Sequence, residues 1–166
     1  MRLSQRLLVL AVIVFGTLPA RAEVPNPKDV TAVNACLVAL DKGSAGQETY
    51  VAKCVLKVAN PCVGGDDTSV SDRKQIECFD RERRVWDRIV NVSYKTLMNG
   101  LEPEQSQKLR DMQQAWIHVR DLTCGFWYDY FQGTMANPMI SSCQNRETAR
   151  RAIYLRTFAI DMAQRK

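Results

Sequence analysis

The chain has 166 residues, with 23 Lys and Arg, 18 Asp and Glu, six Cys and a single His. This length suffices for one domain that buries an apolar core without a structural metal. Three of the arginines fall within the first 21 residues, which leaves 20 Lys and Arg against 18 Asp and Glu in the rest. A nearly neutral charge of this kind does not predict binding to nucleic acid or to an anionic membrane surface.

The N-terminus has the three parts of a secretion signal: a basic start, an apolar run at 7–15 and the small-residue motif Ala-Arg-Ala at 20–22. This arrangement predicts a signal peptide at 1–22 that is cleaved before Glu23. An uncleaved anchor is the alternative, but the apolar run is only about half of the roughly 20 residues that cross a bilayer. We therefore expect a periplasmic or secreted bacterial protein with no membrane attachment after cleavage.

Six cysteines follow the signal, which predicts disulfide bonds formed in an oxidising compartment. They are Cys36, Cys54, Cys62, Cys78, Cys124 and Cys143. Sequence alone does not fix how six cysteines pair. Their places along the chain favour bridges between neighbours: Cys36 with Cys54, Cys62 with Cys78, and Cys124 with Cys143.

The first of these bridges belongs to a predicted helical hairpin. Apolar residues at helical spacing predict helices at 29–42 and 47–58, ending at Gly43 and at Asn60-Pro61. In an antiparallel pair that turns near Ala45, the first two cysteines lie equally far from the turn and face each other.

A glycine-rich and acidic stretch at 62–69 predicts a surface loop between the second pair of cysteines. Asp66, Asp67 and Ser69 are oxygen ligands, but the spacing lacks the glycine and closing glutamate of a calcium-binding loop. We therefore expect an N-terminal cysteine-rich hairpin and loop at 23–77, with no metal.

Three longer helices are predicted in the remainder. The first spans 75–98 and has an apolar stripe, formed by Val85, Trp86, Ile89, Val92 and Leu97. The second begins at Glu102-Pro103-Glu104, where proline suits the first position, and continues to Phe131. Its predicted core stripe consists of Leu109, Met112, Trp116, Val119, Thr123 and Trp127.

Gly133 is expected to end this second long helix, and Ala136-Asn137-Pro138 to form a loop. The last helix is predicted at 144–164. No segment alternates apolar and polar residues with the period of a half-buried strand. The predicted fold is an all-α, disulfide-stapled helical bundle, with an N-terminal helical hairpin and three longer helices.

Nothing in the chain predicts an enzyme. His118, the single histidine, is expected on the surface, and no serine or cysteine stands at a recognisable nucleophile turn. Metal sites need several free ligands, whereas the cysteines are better used as bridges. The paired acids lie in a loop or at a helix start, so no catalytic pair is identified. We expect no catalysis, cofactor or metal.

A set of polar and aromatic residues recurs along the three long helices: Glu82, Asp87, Asn91, Tyr94, Gln113, Trp116, Arg120, Asp121, Cys124, Gly133-Thr134-Met135, Cys143, Thr148, Arg151 and Leu155. This pattern, over 78–155, resembles the N-terminal domain of the LprI-type lysozyme inhibitors, a family of secreted bacterial proteins. Val90 stands where the family usually has leucine, and the N-terminal hairpin lies outside the family's core. The resemblance implies a helical domain at 78–160 that binds a protein, with lysozyme as the implied partner.

Trp116, Arg120 and Cys124 are spaced by four, so they share one face of the helix. The planar guanidinium of Arg120 suits a carboxylate on the neighbouring helix, either Asp87 or Glu82. We interpret Arg120 and Asp121 as residues that orient helices, rather than as ligand contacts.

The segment from Phe126 to Phe131 contains five aromatic residues in six positions. Successive side chains on a helix point about 100° apart, so Tyr128 or Tyr130 is expected to be exposed. With Gly133, Thr134 and Met135 they form the predicted binding surface, because exposed aromatic residues beside a rigid turn are typical of interface hot spots. The alternative is that the aromatic residues pack beneath the N-terminal hairpin.

Two functions remain open at this stage. One is a lysozyme inhibitor, which would present an acidic surface or insert a loop, with 133–137 and 66–69 as candidate loops. The other is a structural or envelope-stress module that binds a different periplasmic protein and does not inhibit lysozyme, since a fold does not fix a function.

Overall fold

The computed structural model describes residues 24–43, 45–64 and 70–165. In these ranges the chain forms only helices: α1 (Pro27–Asp41), α2 (Gln47–Cys54), α3 (Ala59–Val63), α4 (Asp72–Met98), α5 (Pro103–Phe131) and α6 (Ala136–Gln164). The predicted all-α fold is confirmed. The predicted signal peptide at 1–22 and the loop residues Asp66, Asp67 and Ser69 lie outside the described residues.

Three disulfide bonds join the helices in the pairing that the chain order favours. Cys36 bonds to Cys54, Cys62 to Cys78, and Cys124 to Cys143, with Cα–Cα distances of 5.7, 5.6 and 5.5 Å respectively. These distances are ordinary for unstrained bridges. The first bridge closes the α1–α2 hairpin, the second ties α3 to α4, and the third ties α5 to α6.

The core lies mainly between α4 and α6, the two helices with the largest mutual contact. Trp86 and Val85 of α4 pack there with Leu155 and Ala152 of α6, and all four are fully or almost fully buried. The N-terminal hairpin packs against this pair, and α1 contributes Val33 and Leu37 to the same apolar cluster. Burial of this apolar surface is the main term that holds the bundle together.

An ion pair fastens the end of α1 to α6. The two terminal nitrogens of Arg156 donate to the two carboxylate oxygens of Asp41, and the Tyr50 hydroxyl donates to the same carboxylate at 3.0 Å. The hydrogen bond from Arg156 is the main cause that lowers the pKa of Asp41 below its ordinary value. The hairpin is therefore held to the bundle by this charged contact as well as by the apolar contacts of α1.

The predicted core stripe of α5 is largely wrong. Leu109 is buried, but Met112, Val119, Thr123 and Trp127 are exposed, and Trp116 is half-buried. The reason is that α5 packs on α6 and makes few contacts with α4, so a single narrow face of this long helix is covered. Val92 of α4, also predicted in a core stripe, is exposed as well.

Both Ala-Asn-Pro tripeptides were expected to end or interrupt helices, and this is wrong at both places. Ala59 begins α3 and Ala136 begins α6, so Pro61 and Pro138 each occupy the third helical position. A proline in the first turn is tolerated because the N–H that it lacks has no partner inside the helix. The last helix therefore starts eight residues earlier than predicted. The second helix, expected to reach residue 58, ends at Cys54, and the separate short helix α3 begins at Ala59.

Candidate protein-binding site

Four aromatic side chains at the end of α5 form what we call the aromatic patch: Trp127, Tyr128, Tyr130 and Phe131. Tyr128 is 57% exposed and Tyr130 is 69% exposed, which confirms the predicted exposure. The alternative, that these residues pack beneath the N-terminal hairpin, is wrong. All four side chains are open to solvent although each carries a large apolar ring.

The rings of the patch support one another. Trp127 and Phe131 stack with their centroids 5.7 Å apart and their planes within 8°, and Tyr130 meets Phe131 edge-on at 5.0 Å. Offset stacking and edge-to-face contact are the favoured geometries for aromatic pairs. Three of the four rings of the patch are therefore in contact with one another, and the Tyr128 ring stands beside them.

The turn after the patch is short. The α5 helix ends at Phe131, as predicted, and the residue that caps it is Gln132 rather than the expected Gly133, in a left-handed conformation with φ 50°. The N–H of Ala136 then donates to the Gly133 carbonyl at 3.1 Å and begins α6. Thr134 and Met135 are exposed. Because α6 begins at 136, the expected loop at 133–137 is reduced to a tight connection.

The Cys124–Cys143 bridge holds the base of this region. Cys124 is fully buried, one turn before the patch, and its bond to α6 fixes the spacing of the two helices on either side of the turn. A groove of about 580 Å³ lies beside it, lined among others by Trp127, Met135 and Met139. The aromatic patch therefore lies next to an apolar groove, and exposed aromatic side chains beside such a groove are typical of surfaces that bind protein partners.

Glu82, the first residue of the recognised pattern, is completely buried and holds the connection between α2 and α3. Its carboxylate accepts from the backbone N–H groups of Leu56, Val58 and Ala59 at 2.7, 2.7 and 2.8 Å. It also accepts from the Trp86 indole at 2.9 Å and from the Asn145 amide at 3.4 Å. Leu56 has a left-handed φ of 71°, so these bonds also hold a strained backbone position.

The prediction that Arg120 clamps Asp87 or Glu82 is wrong. Arg120 donates to its neighbour Asp121 at 2.9 Å and lies over the Trp116 ring, with its guanidinium carbon 4.9 Å from the ring centroid. Asp87 instead accepts from Arg83 at 3.2 Å. Burial raises the pKa of Asp87, while the charges of Arg83 and Arg120 oppose that rise. Arg120 thus acts on Asp87 through space, not by a direct hydrogen bond.

Arg151 of α6 makes a polar link to α5, whereas the prediction for Arg120 was a link from α5 to a carboxylate of α4. Its Nε donates to the Gln113 side chain at 2.8 Å, and its guanidinium lies between the rings of Trp116 and Tyr154, at 5.6 and 5.4 Å from their centroids. Arg151 is only 8% exposed, and burial lowers its pKa. The π faces of the two rings stabilise the buried charge. Gln113, Trp116 and Arg151 are therefore scaffold residues.

The other predicted residues are spread over the bundle. Asn91 and Asp121 are exposed, Tyr94 is half-buried against the core, and His118 is exposed as expected. Among the residues that the structure describes, no cluster of three His, Cys, Asp or Glu is arranged to hold a metal ion. None of the helices in the same ranges has the length and apolarity to span a bilayer.

The sequence predicted that Tyr128 or Tyr130 is exposed, and both are; Trp127 was assigned to the core, and Phe131 had no assignment. Both lie in the exposed patch. The hydrogen-bond partners of Glu82 were not predicted either, because every residue except proline has a backbone N–H and the sequence does not show which of them a carboxylate will bind. The sequence did contain a signal for the exposed patch. Apolar residues occur all round the second half of α5, and a helix that packs on one face cannot bury all of them.

The model of the family described as "Lysozyme inhibitor LprI" matches residues 64–155. The match covers more than half of the chain and includes α4, α5 and most of α6. No curated protein and no solved structure matches the chain. On the match to its family model, the chain belongs to the lysozyme inhibitor LprI family.

Proposed function

We propose that this protein is exported to the periplasm or the cell exterior and there binds a lysozyme through the aromatic patch and the turn at 132–135. The family match supports a protein-binding role of the inhibitor type. The single observation that carries the choice of surface is the exposure of the four aromatic rings and of Met135 at one end of the bundle. We propose a binding protein without catalytic activity.

Energetic reasons favour this surface over others on the molecule. Aromatic residues dominate interface hot spots, because they bury a large area while losing few rotamers. The Cys124–Cys143 bridge and the stacked rings order the patch before a partner arrives, which lowers the entropic cost of binding.

The charges beside the patch suit a basic partner. Asp129 lies within the aromatic run and is exposed, whereas Asp121, two turns earlier on the same helix, already pairs with Arg120. Lysozymes are basic proteins with an acidic cleft, so the Asp129 carboxylate complements the outside of the enzyme rather than its cleft. The short turn also favours a docking surface over an inserted loop, since only four residues separate α5 from α6.

We expect the oxidised protein to slow the lysis of cell walls by lysozyme, and Tyr128→Ala and Met135→Ala to weaken this inhibition by at least about tenfold each, as hot-spot truncations do. Phe158→Ala is the matched control: it removes an apolar ring that is also exposed, but on the far part of α6. A lysis assay with several lysozyme types measures the inhibition constants.

Two results would count against this proposal. Full lysozyme activity at micromolar protein, against every type tested, removes the inhibitor assignment. Capture of a different periplasmic protein by the same patch, lost in Tyr128→Ala, would then support the alternative of a structural or envelope-stress module. Equal loss of inhibition in Phe158→Ala and Tyr128→Ala would remove the aromatic patch as the binding surface.

A further inference from the structure

A second apolar surface runs along α5, on a flank that neither α6 nor α4 covers. We call it the α5 stripe, and it consists of Met112, Ala115, Val119, Leu122 and Phe126, all of them exposed. Leu122 is 62% exposed and Phe126 is 63% exposed. An isolated exposed apolar residue needs no explanation, but a continuous row of five marks an interaction surface.

The spacing of the stripe fits another helix. Its members follow one another at intervals of three, four, three and four residues, which is the pattern of a helix seam that packs into a second helix. At about 1.5 Å per residue the row is roughly 21 Å long, or four turns. The described part of the molecule has no helix on this flank, because α6 occupies the opposite side of α5 where Leu109 and Cys124 are buried.

We propose that the α5 stripe pairs two copies of this chain, with the two α5 helices antiparallel about a two-fold axis at Val119. Such an interface uses the same surface on both copies, so it must be complementary to itself. The stripe meets this condition: Met112 and Phe126 lie seven residues on either side of Val119, so each faces the other across the axis. Ala115 lies four residues before Val119 and Leu122 three after it, so the small side chain of one copy lies close to the larger one of the other, offset by one residue.

The charges at the two ends of the stripe favour the antiparallel arrangement. Lys108 lies eleven residues before Val119 and Asp129 lies ten after it, and both are exposed. In the antiparallel pair, Lys108 of each copy therefore faces Asp129 of the other, whereas a parallel pair would set like charges against each other. Lys108 also donates to Glu104 at 2.7 Å, but an ammonium has further protons to donate to a second carboxylate.

The contact area between the two α5 helices is small, and this limits the affinity that we expect for the dimer. Two helices that meet over four turns bury on the order of 1,000 Å² in total, at the lower limit for a specific interface. We therefore expect a reversible dimer with a dissociation constant of roughly 10 to 100 μM, so that monomer and dimer coexist in this range.

Sedimentation equilibrium of the exported, oxidised protein across these concentrations tests the pairing. We expect a monomer–dimer equilibrium whose dissociation constant rises at least tenfold in Leu122→Asp. Val92→Asp is the matched control, because Val92 is an equally exposed apolar residue on α4, away from the stripe, and it should leave the dimer unchanged.

A charge exchange tests the orientation without altering the apolar stripe, so it remains informative if Leu122→Asp fails to fold. Lys108→Glu and Asp129→Lys should each weaken the dimer severalfold, and the two changes together should restore it. Monomer at every concentration, or a dimer that resists Leu122→Asp, overturns the proposal. Single charge changes without effect overturn the antiparallel arrangement. Asp129 also lies within the surface proposed to face lysozyme, so Leu122→Asp and Tyr128→Ala separate the two proposals: the first should weaken the dimer alone, and the second should weaken inhibition alone.

Discussion

Replacing Glu82 by alanine should lower the free energy of unfolding by more than about 3 kcal/mol. The change leaves three backbone N–H groups, the Trp86 indole and the Asn145 amide without their acceptor, and all of these donors except the half-buried Leu56 N–H are buried. Each buried donor that loses its partner costs about 1 to 3 kcal/mol. Urea unfolding followed by circular dichroism measures the loss.

Glu77→Ala is the control for this experiment. Glu77 lies on the same helix but its side chain is 56% exposed, and it pairs with Arg73 at 3.1 Å. An exposed pair of this kind contributes about 0.5 kcal/mol or less. If the two variants unfolded at the same urea concentration, the anchoring role of Glu82 would be wrong.

Removing the Cys124–Cys143 bridge by changing both residues to alanine should cost about 3 kcal/mol, because the unfolded chain regains the entropy of an open loop. The loss should also weaken lysozyme binding, since the bridge holds the turn and the aromatic patch in place. Thermal unfolding and the lysis assay measure the two effects separately.

The protein supplies a matched control for that change. The Cys36–Cys54 bridge closes a loop of nearly the same length, with a sequence separation of 18 against 19, so its removal should cost a similar stability. It joins α1 to α2, far along the chain from the patch. Equal effects of both removals on lysozyme binding would mean that the Cys124–Cys143 bridge does not order the binding surface.

The helices and the bridges of this protein are predictable because they depend on local rules. Pro103 starts α5 where proline suits the first turn, and the Gln105 side chain accepts from the N–H of Glu102 at 3.2 Å. The symmetry of the hairpin brings Cys36 to Cys54. Each of these features can be predicted from residues within the same helix or the same hairpin.

The features that the sequence did not predict depend on which helices pack against each other in the folded protein. Proline in an Ala-Asn-Pro tripeptide is compatible with a loop and with the first turn of a helix, and only the packing of α6 decides for Pro138. Arg120 and Arg151 are both arginines near Trp116, but Arg151 is the one placed between two rings. The exposure of Val119 follows from the small contact between α5 and α4, which no pattern within α5 reveals.

The central claim is that the end of α5 and the following turn bind lysozyme. Amide hydrogen exchange of the oxidised protein, alone and with saturating lysozyme, tests it most directly. We expect the amides of Gly133, Thr134 and Met135 to exchange more slowly in the complex, and those of the α1–α2 hairpin to be unchanged. Protection of the hairpin with no change in the turn would show that lysozyme binds elsewhere on the molecule.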